Sequence, residues 1–395
     1  MSERCDQVYR EAVKLIDFDE VASLASELVK IPSPNPPGEE SEVASLIQRY
    51  LTQSELETTL EEVCPGRPNI YGILRGTEEK PVLMFNGHMD VVPAGAGWTV
   101  EPFGGKIENG RLFGRGAADT KGGLAAMMKA MRSIVLTKAE LRGTLIFAAV
   151  VDEEQAESGT RKMLESGVRS DFAVVAEPTG LRVASSSKGD VYYEITTSGR
   201  SAHSATPELG VNAISGMAHV IKGIDKLAED LRAKKHELLG NPTYSVGIIE
   251  GGTATNVVPS YCKVTVDRRT LPGESAKDGE KELVSLISDL RKMDPTLQAS
   301  VRTLMEASPM EVPSNHPFVL AAREAVRHVL GSERGRVGLS GATDAQLLYN
   351  VANIPSVIFG PGELSRAHQA DESVLLSEIV EAAKIYMRLA LSVLL

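Results

Sequence analysis

Cysteine is scarce in this chain of 395 residues, and that scarcity argues against two kinds of site. The three cysteines, Cys5, Cys64 and Cys262, are odd in number and lie far apart. They form neither a CxxC pair nor the framework of a disulfide-stabilised fold. We therefore expect a reducing compartment, and no metal site built from thiolates.

Long apolar runs are also missing. No run approaches the length of a membrane span, and the N-terminal residues MSERCDQVYREAV lack the apolar segment of a secretory signal. We expect a cytoplasmic protein that does not enter a membrane.

Positive charge is in deficit, since 42 Lys and Arg face 53 Asp and Glu, for a net charge of −11. A nucleic-acid-binding protein needs a basic surface, so no nucleic-acid partner is expected. The remaining composition, 42% hydrophobic and 24% charged, is ordinary for a soluble globular protein. The length allows two or three domains.

The stretch PVLMFNGHMDVVP, residues 81–93, is where the candidate chemistry begins. Its apolar run predicts a buried strand, and open α/β sheets place their chemistry at the carboxyl ends of such strands. His88 and Asp90 follow the run, two residues apart, and a neighbouring carboxylate often fixes the ring of a metal-binding histidine. A His-x-Asp pair on its own is more often an ordinary turn.

Two more apolar runs end in carboxylates. The run LRGTLIFAAVV, residues 141–151, leads into Asp152, Glu153 and Glu154, and the run 172–176 leads into Glu177. Acidic turns are common, but three like charges at a strand end repel one another and favour a compensating cation. The repetition over three strands is the strongest pattern in the chain.

Two further candidates lie in loops. Asp119 precedes a predicted helix that starts near Lys121, where an N-cap is the plain alternative. His368 lies in the segment SRAHQADE. The full candidate set has imidazole and carboxylate ligands and no thiolate: His88, Asp119, Glu154, Glu177 and His368.

Such a set suits catalytic zinc, cobalt or manganese. Five ligands exceed the needs of one tetrahedral ion, but a bridging carboxylate would let two ions about 3.5–4 Å apart share a water. A carboxylate that is not a ligand must then take the proton of that water, and Glu153 is suitable. Spacing alone does not decide between Glu153 and Glu154.

The order of elements predicts an α/β protein with an insertion. Residues 182–309 read as β-α-β-β-α-β, which is typical of a small α+β sandwich, whereas 1–181 and 310–395 follow an α/β pattern. Turn signals at Gly104-Gly105 and Asn109-Gly110 interrupt a glycine-rich, irregular stretch after Pro93.

The candidate residues lie in short sequence segments that together resemble the M20 family of metallopeptidases and deacylases. This is the group of acetylornithine deacetylase, succinyl-diaminopimelate desuccinylase, aminoacylase-1 and glutamate carboxypeptidase. The resemblance covers nearly the whole chain, with its segments in the family's order. The segments are SPNPPGEE, NGHMDVVP, GRGAADTKGG, DEE, AEPT, GRSAHSA, GGTATNVVP, VDRRTLPGE, SGATDA and FGPGE followed by AHQADE.

The resemblance implies a role for each candidate in a Zn-exopeptidase-like catalytic domain, a mixed sheet flanked by helices. His88 and His368 each bind one ion, Asp119 bridges both, and Glu154 and Glu177 each complete one site. Asp90 orients His88, and Glu153 acts as the general base that later protonates the leaving amine. The peptide bond after Asp119 is often cis in such proteins.

The resemblance also implies that the ferredoxin-like insertion, residues 182–309, is a lid that makes a homodimer. His203 would stabilise the oxyanion, often in the partner's site, although alone it reads as a surface histidine. Asn256 and Arg269 would bind the substrate carboxylate, with Arg268 as a competitor for that role and Asp267 as support. Gly360 and Gly362 would shape the pocket floor, where a plain turn is the alternative.

We therefore expect a hydrolase with two divalent ions, zinc first and cobalt or manganese as alternatives. Its expected substrates are N-acyl amino acids, as for acetylornithine deacetylase and succinyl-diaminopimelate desuccinylase, with a carboxypeptidase or dipeptidase activity as the alternative. A binding protein that kept only the fold would have lost a ligand or the base, and a structural zinc protein would need thiolates.

Overall fold

The computed structural model describes residues 3–395, which divide into two compact units. The first unit contains the chain up to Ser185 together with Val312–Val337 and Thr343–Leu395. The second contains Ser186–Glu311 and Gly338–Ala342. No helix within residues 3–395 is both long enough and apolar enough to cross a membrane.

The strands, in chain order, are β1 (Glu57–Cys64), β2 (Arg67–Leu74), β3 (Val82–His88), β4 (Lys106–Glu108), β5 (Arg111–Phe113), β6 (Thr144–Val150), β7 (Phe172–Val175), β8 (Val183–Ser187), β9 (Gly189–Ser198), β10 (Thr243–Gly251), β11 (Tyr261–Thr270), β12 (Gln298–Ala307), β13 (Met310–Glu311), β14 (Arg336–Leu339), β15 (Ser356–Ile358) and β16 (Ser373–Leu375). The helices are α1 (Glu3–Ala12), α2 (Phe18–Lys30), α3 (Ser41–Gln53), α4 (Gly122–Leu136), α5 (Ser158–Glu165), α6 (Ala213–Asp230), α7 (Ala276–Met293), α8 (Pro317–Leu330), α9 (Asp344–Ala352) and α10 (Leu376–Leu394).

The first unit is built on a mixed sheet with the order β1-β2-β6-β3-β7-β15-β8. Strands β6, β3, β7 and β15 are parallel neighbours, and β1 and β2 add an antiparallel edge. The parallel strands are short apolar runs buried on both faces, as in sheets that helices cover. The prediction of an α/β fold with a mixed sheet is confirmed.

Helices α4 and α10 pack against each other and against β3 and β6, and both are buried over most of their length. Each buried aliphatic side chain there contributes about 1.5–3 kcal/mol. Helices α5 and α9 contact each other. α5 also contacts β1 and β2, and α9 contacts β7 and β15. Thr343 caps α9 through a capping box with Gln346, which fixes where that helix begins.

The stretch after Pro93 is more regular than its glycines indicated. β4 and β5 form a hairpin whose two-residue turn is Asn109-Gly110, with φ of 50° and 74°. A type I′ turn needs positive φ at both central residues, which Asn-Gly adopts readily. β16 then pairs with β5, so this hairpin joins residues far apart in the chain.

The second unit has the element order β9-α6-β10-β11-α7-β12, as the β-α-β-β-α-β pattern predicted. Its sheet is antiparallel, in the order β10-β11-β9-β12. Alternate residues of β9, Val191, Tyr193 and Ile195, are buried in one core with apolar residues of α6 and α7. The period of two in β9 therefore marks its inner face.

Candidate metal centre

Parallel strands bring four of the predicted site segments to one edge of the sheet. His88 is the last residue of β3, and Glu177 follows β7 by two residues. Asp152, Glu153 and Glu154 follow β6, and Gly360 follows β15. Because parallel strands end at the same edge, the carboxylates meet although they lie far apart in sequence.

Asp119 lies between the two histidines. His88 Nε2 is 3.1 Å from Asp119 Oδ1, and His368 Nε2 is 3.3 Å from Asp119 Oδ2. The Asp119–Thr120 peptide bond is cis, as the resemblance implied. The N-cap position of α4 belongs to Lys121 and has no side-chain cap, so Asp119 does not have the capping role that was its alternative.

Two half-sites are arranged around Asp119. On the Oδ1 side, His88 Nε2 is 3.9 Å from Glu177 Oε1. On the Oδ2 side, His368 Nε2 is 3.2 Å from Glu154 Oε2. The nearest contacts therefore pair His88 with Glu177 and His368 with Glu154 around the shared carboxylate of Asp119, although Glu154 also lies close to His88.

The donor set fits divalent metal ions. Glu154 Oε1 and Glu177 Oε1 are buried and have no hydrogen-bond partner. Uncompensated buried carboxylate oxygens are costly unless a cation meets them. One ligand atom from each of His88, Asp119 and Glu154 lies within 4.8 Å of the others, and imidazole with carboxylate suits zinc, cobalt or manganese.

The electrostatics of the centre also favour cations. Burial raises the pKa of both Glu153 and Glu177 well above the ordinary value, and neighbouring carboxylates raise it further. Hydrogen bonds with Asp119 and Glu154 raise the pKa of His368 to about 10. Burial opposes the protonation of His88, but the charge of Glu153 and the contacts with Asp119 and Asp90 still raise its pKa.

The carboxylate of Asp119 responds in the opposite direction. Burial would raise its pKa, but hydrogen bonds from His368 and His88 hold the pKa of Asp119 well below its ordinary value. The centre thus keeps Asp119 ionised and places positive charge on both of its sides. A bound cation would take the place of a proton on each imidazole.

Glu153 and Glu154 have different surroundings, although they are adjacent. Glu154 contacts His368, whereas Glu153 Oε2 lies 3.9 Å from His88 Nε2 and reaches neither imidazole more closely. The side chain of Glu153 is 12% exposed, and that of Glu154 is 6% exposed. Of the two carboxylates, Glu154 is therefore the one in direct contact with an imidazole.

Asp90 acts on the centre through two different groups. Its backbone carbonyl is 2.9 Å from His88 Nδ1, whereas its carboxylate Oδ1 is 3.6 Å away. A proton on Nδ1 donated to that carbonyl leaves the lone pair of Nε2 to face the centre. The carboxylate instead accepts the backbone N–H of Glu153 at 3.2 Å and of Glu154 at 3.1 Å, so it anchors their turn.

Asn35 is a residue that the sequence analysis did not select. Its Nδ2 donates to Asp90 Oδ2 and to Asp152 Oδ1, both at 2.8 Å, and Arg67 also contacts Asp152. Asn35 therefore ties the proline-rich loop to the turn that carries Glu153. Its position inside SPNPPGEE, a segment that carries the family resemblance, was the signal available in the sequence.

Gly360 fits closely against the strand end that carries Glu177. A Cβ at Gly360 would lie 2.6 Å from the backbone oxygen of Glu177, so any side chain would displace that residue. Its N–H donates to Thr179 Oγ1 at 3.1 Å. Gly362 has φ of 86°, which is the left-handed region that glycine adopts without strain.

The candidates of the second unit lie in two places. His203 and Asn256 are exposed on neighbouring loops, where the N–H of Ser204 donates to the carbonyl of Asn256 at 3.1 Å. Arg269 lies on β11, and its guanidinium is held by two carboxylates, Asp267 at 2.9 Å and Asp190 at 3.0 Å. A substrate carboxylate at Arg269 would have to compete with both.

Arg268 points elsewhere, into the second unit. Its guanidinium is buried, contacts Glu274 at 3.2 Å and Glu282 at 3.5 Å, and lies over the ring of Tyr244. Those contacts give Arg268 a structural role. Of the two arginines, Arg269 is the more accessible, with 27% of its side chain exposed.

Known proteins resemble this chain along most of its length. The model of peptidase family M20/M25/M40 matches residues 84–392. N-formyl-4-amino-5-aminomethyl-2-methylpyrimidine deformylase of Bacillus subtilis (strain 168) is 30% identical over 98% of this chain and 97% of its own length.

Solved structures share the fold. A tripeptidase from Staphylococcus aureus has a TM-score of 0.80 at 22% identity, covering 96% of this chain and 99% of its own. The YXEP protein of Bacillus subtilis is described as a dinuclear metal binding peptidase from the M20 family. It has a TM-score of 0.75 at 19% identity, and the match covers 95% of this chain and 98% of the YXEP chain. The family match over most of the chain, with an amide-cleaving relative along its full length, shows that the chain belongs to peptidase family M20/M25/M40 and is a metal-dependent hydrolase of amide bonds.

Proposed function

We propose that this protein is a deacylase that removes a short acyl group from a small N-acyl amine at a centre of two divalent ions. The observation that carries the proposal is the position of Asp119, whose two oxygens face His88 on one side and His368 on the other. Glu177 and Glu154 complete the two sides. We propose zinc as the native ion, with cobalt or manganese as alternatives, since the same ligands accept all three.

The roles of the remaining residues follow from their positions. Bound ions would polarise the amide carbonyl and lower the pKa of the attacking water. Glu153 stands beside the His88 half-site, and its raised pKa suits a group that takes a proton from water and returns it to the leaving amine. Asp90 holds the turn that carries Glu153, and Gly360 keeps the backbone of Glu177 in place.

We assign the predicted insertion, residues 182–309, the part of a lid and dimer contact. It corresponds closely to the second unit. Residues 1–181 and 310–395 would then form the catalytic domain. His203 and Asn256, exposed on adjacent loops, are its candidates for contacting the reacting carbonyl and the substrate. The basis of these assignments is the family resemblance. We place the protein in the cytoplasm on the basis of its composition.

For the substrate we favour an amine without an α-carboxylate. The deformylase relative is named for a formylated aminomethylpyrimidine, which carries no such group. In this chain Arg269, the residue expected to hold a substrate carboxylate, already has Asp190 and Asp267 as partners. These three side chains together carry one net negative charge when the carboxylates are ionised, which disfavours a second anion.

N-Acyl amino acids, the substrates of acetylornithine deacetylase and succinyl-diaminopimelate desuccinylase, are the second candidate. The 27% exposure of Arg269 favours them, because a substrate carboxylate could replace one of its present partners. A carboxypeptidase or dipeptidase activity is the alternative within the family, and the structural similarity to a tripeptidase concerns the fold alone.

A hydrolysis screen tests these proposals. Protein loaded with zinc or cobalt is given the N-formyl aminomethylpyrimidine, N-acetylornithine, N-succinyl-diaminopimelate and several dipeptides. Chelated protein and a Glu153→Gln preparation report any contaminating hydrolase. Chelator-sensitive cleavage of the formyl compound alone supports the favoured substrate, and preference for N-acyl amino acids would replace it with the second candidate. Cleavage of dipeptides alone would contradict the deacylase proposal.

A further inference from the structure

The segment that follows His368 contains a buried carboxylate with no role in the chemistry described so far. Glu372 is 1% exposed. Its Oε1 accepts the backbone N–H of Ala118 at 2.9 Å and of Asp119 at 3.1 Å. Its Oε2 accepts from Arg115 Nη1 at 2.5 Å, and the Arg115 side chain is itself 2% exposed. Glu372 therefore holds the backbone of the residue that lies at the middle of the metal centre.

Further contacts join the same two segments. The N–H of Gly114 donates to the carbonyl of Glu372 at 2.9 Å, and Arg115 Nη1 lies 3.3 Å from the carbonyl of Gln369. Strand β16 starts directly after Glu372 and pairs with β5, Ser373 opposite Phe113. The loop with His368 and the loop with Asp119 are thus fastened to each other at several points.

The two half-sites depend on this fastening to different degrees. His88 and Glu177 are placed by the ends of β3 and β7, which are hydrogen-bonded neighbours in the sheet. His368 lies in a loop, has φ of 61°, and its side chain is 53% exposed. The contacts of Glu372 hold the backbone of His368 near Asp119, and the bonds from Thr99 to Asp371 also fix the loop.

Loss of Glu372 should have a large effect on this segment. Removing one member of a buried ion pair leaves the other charge uncompensated, which is strongly destabilising. The N–H groups of Ala118 and Asp119 would also lose their acceptor. The segment can recover these losses only by moving, and any movement changes the distance between Asp119 and His368.

We propose that Glu372 is a positioning residue for the half-site formed by His368, Glu154 and Asp119 Oδ2, and that binding of the second metal ion depends on it. The inference rests on the proposed two-ion centre. The half-site of His88 and Glu177 also uses Asp119, but strands place its other two ligands. Loss of Glu372 therefore weakens binding of the ion at His368 more than binding of the ion at His88.

The test counts cobalt ions. The metal-free full chain is titrated with Co²⁺ and followed by equilibrium dialysis and by the visible spectrum, for the natural protein, Glu372→Ala and Glu372→Gln. We expect two ions in the natural protein. In Glu372→Ala we expect one tight ion and a second whose Kd is raised by about tenfold or more, as for other residues that support metal ligands.

Glu372→Gln gives an intermediate result on the same reasoning. Its amide oxygen still accepts the N–H groups of Ala118 and Asp119, but its NH2 group faces the guanidinium of Arg115. The second ion should therefore bind more tightly than in Glu372→Ala and more weakly than in the natural protein. If Glu372→Ala does not fold, judged by circular dichroism, Glu372→Gln decides the question.

A matched control exists at the other end of β3. Asp171 accepts the N–H of Val82 at 2.8 Å and pairs with Lys80 at 2.7 Å, away from the ligands, in an ion pair that is more exposed than that of Glu372. Asp171→Ala should bind both ions as the natural protein does. Unchanged binding of two ions in both Glu372 variants, or loss of both ions together, would overturn the positioning role. A natural protein that binds fewer than two ions would instead contradict the proposed centre itself.

Discussion

Adjacent residues in one turn can have different tasks when their backbone is held from outside. Asp90 accepts the N–H groups of both Glu153 and Glu154, so neither side chain has to fix the turn. Glu154 is then directed toward His368, and Glu153 toward the half-site of His88. The different roles that we propose for the two carboxylates rest on this geometry.

Glu153→Gln should abolish turnover and leave the metal content unchanged. A neutral amide cannot take a proton from water, and general bases contribute about 10²–10⁴ to the rate. Glu154→Gln should instead lower metal occupancy, because it removes a charged oxygen next to His368. Metal analysis beside steady-state kinetics separates the two effects. Loss of metal from Glu153→Gln with full occupancy in Glu154→Gln would mean that the roles are exchanged.

Sequence pattern predicted the residues at strand ends and missed the residues that support them. His88 and Glu177 were found because an apolar run stops shortly before His88 and directly before Glu177. Asn35 and Glu372 act through hydrogen bonds to distant residues, and such contacts leave no period or spacing in the sequence. The contact of Asp90 was also predicted incompletely, since its carboxylate meets backbone N–H groups rather than the ring of His88 most closely.

At the scale of elements, the apolar runs located the buried strands well. β3, β6 and β7 lie within the runs at residues 81–93, 141–151 and 172–176. The short strands β4, β5 and β16 escaped, because three residues are too few to show a period. They nevertheless join the loops of Asp119 and His368, so the least predictable elements have a direct effect on the centre.

Helix α5 begins beside a carboxylate whose surroundings make stability depend on pH. Glu157, just before α5, is 9% exposed and has φ of 52°; its Oε1 has no hydrogen-bond partner, and Oε2 lies 3.5 Å from Arg161. Burial, with a contribution from the charge of Asp344, raises the pKa of Glu157 from 4.5 to about 8. Between those values the folded chain holds a proton that the unfolded chain has released, so stability falls as pH rises.

Glu157→Gln should remove this dependence. Relative to the natural protein, the variant should gain on the order of 2–4 kcal/mol in the free energy of unfolding between pH 5 and pH 8.5. Urea unfolding of metal-free protein at the two pH values measures the gain. Glu165→Gln, at an exposed position of the same helix, is the control and should show no such trend. A gain of equal size at both pH values would contradict the assigned pKa.

At the scale of the whole molecule, the sheet of the second unit has two open edges, β10 and β12. The register of β10 against β11 shifts between Val246 and Ile248, and after this irregularity the side chains of Ile248 and Ile249 are both 55% exposed. Tyr261, on the neighbouring strand, is 48% exposed. An open edge with apolar side chains and unpaired backbone groups favours pairing with another chain.

The proposed homodimer should therefore form through β10. The double variant Ile248→Lys, Ile249→Lys should dissociate it into monomers. Each buried isoleucine contributes about 1.5–3 kcal/mol, so losing two per subunit should weaken association by about 100-fold or more. Sedimentation velocity at several protein concentrations measures the change in mass. Leu304→Lys on the opposite edge strand, where the side chain is 46% exposed, should leave the dimer intact. A natural protein that sediments as a monomer would remove the proposal, and a dimer that dissociates only with Leu304→Lys would move the contact to β12.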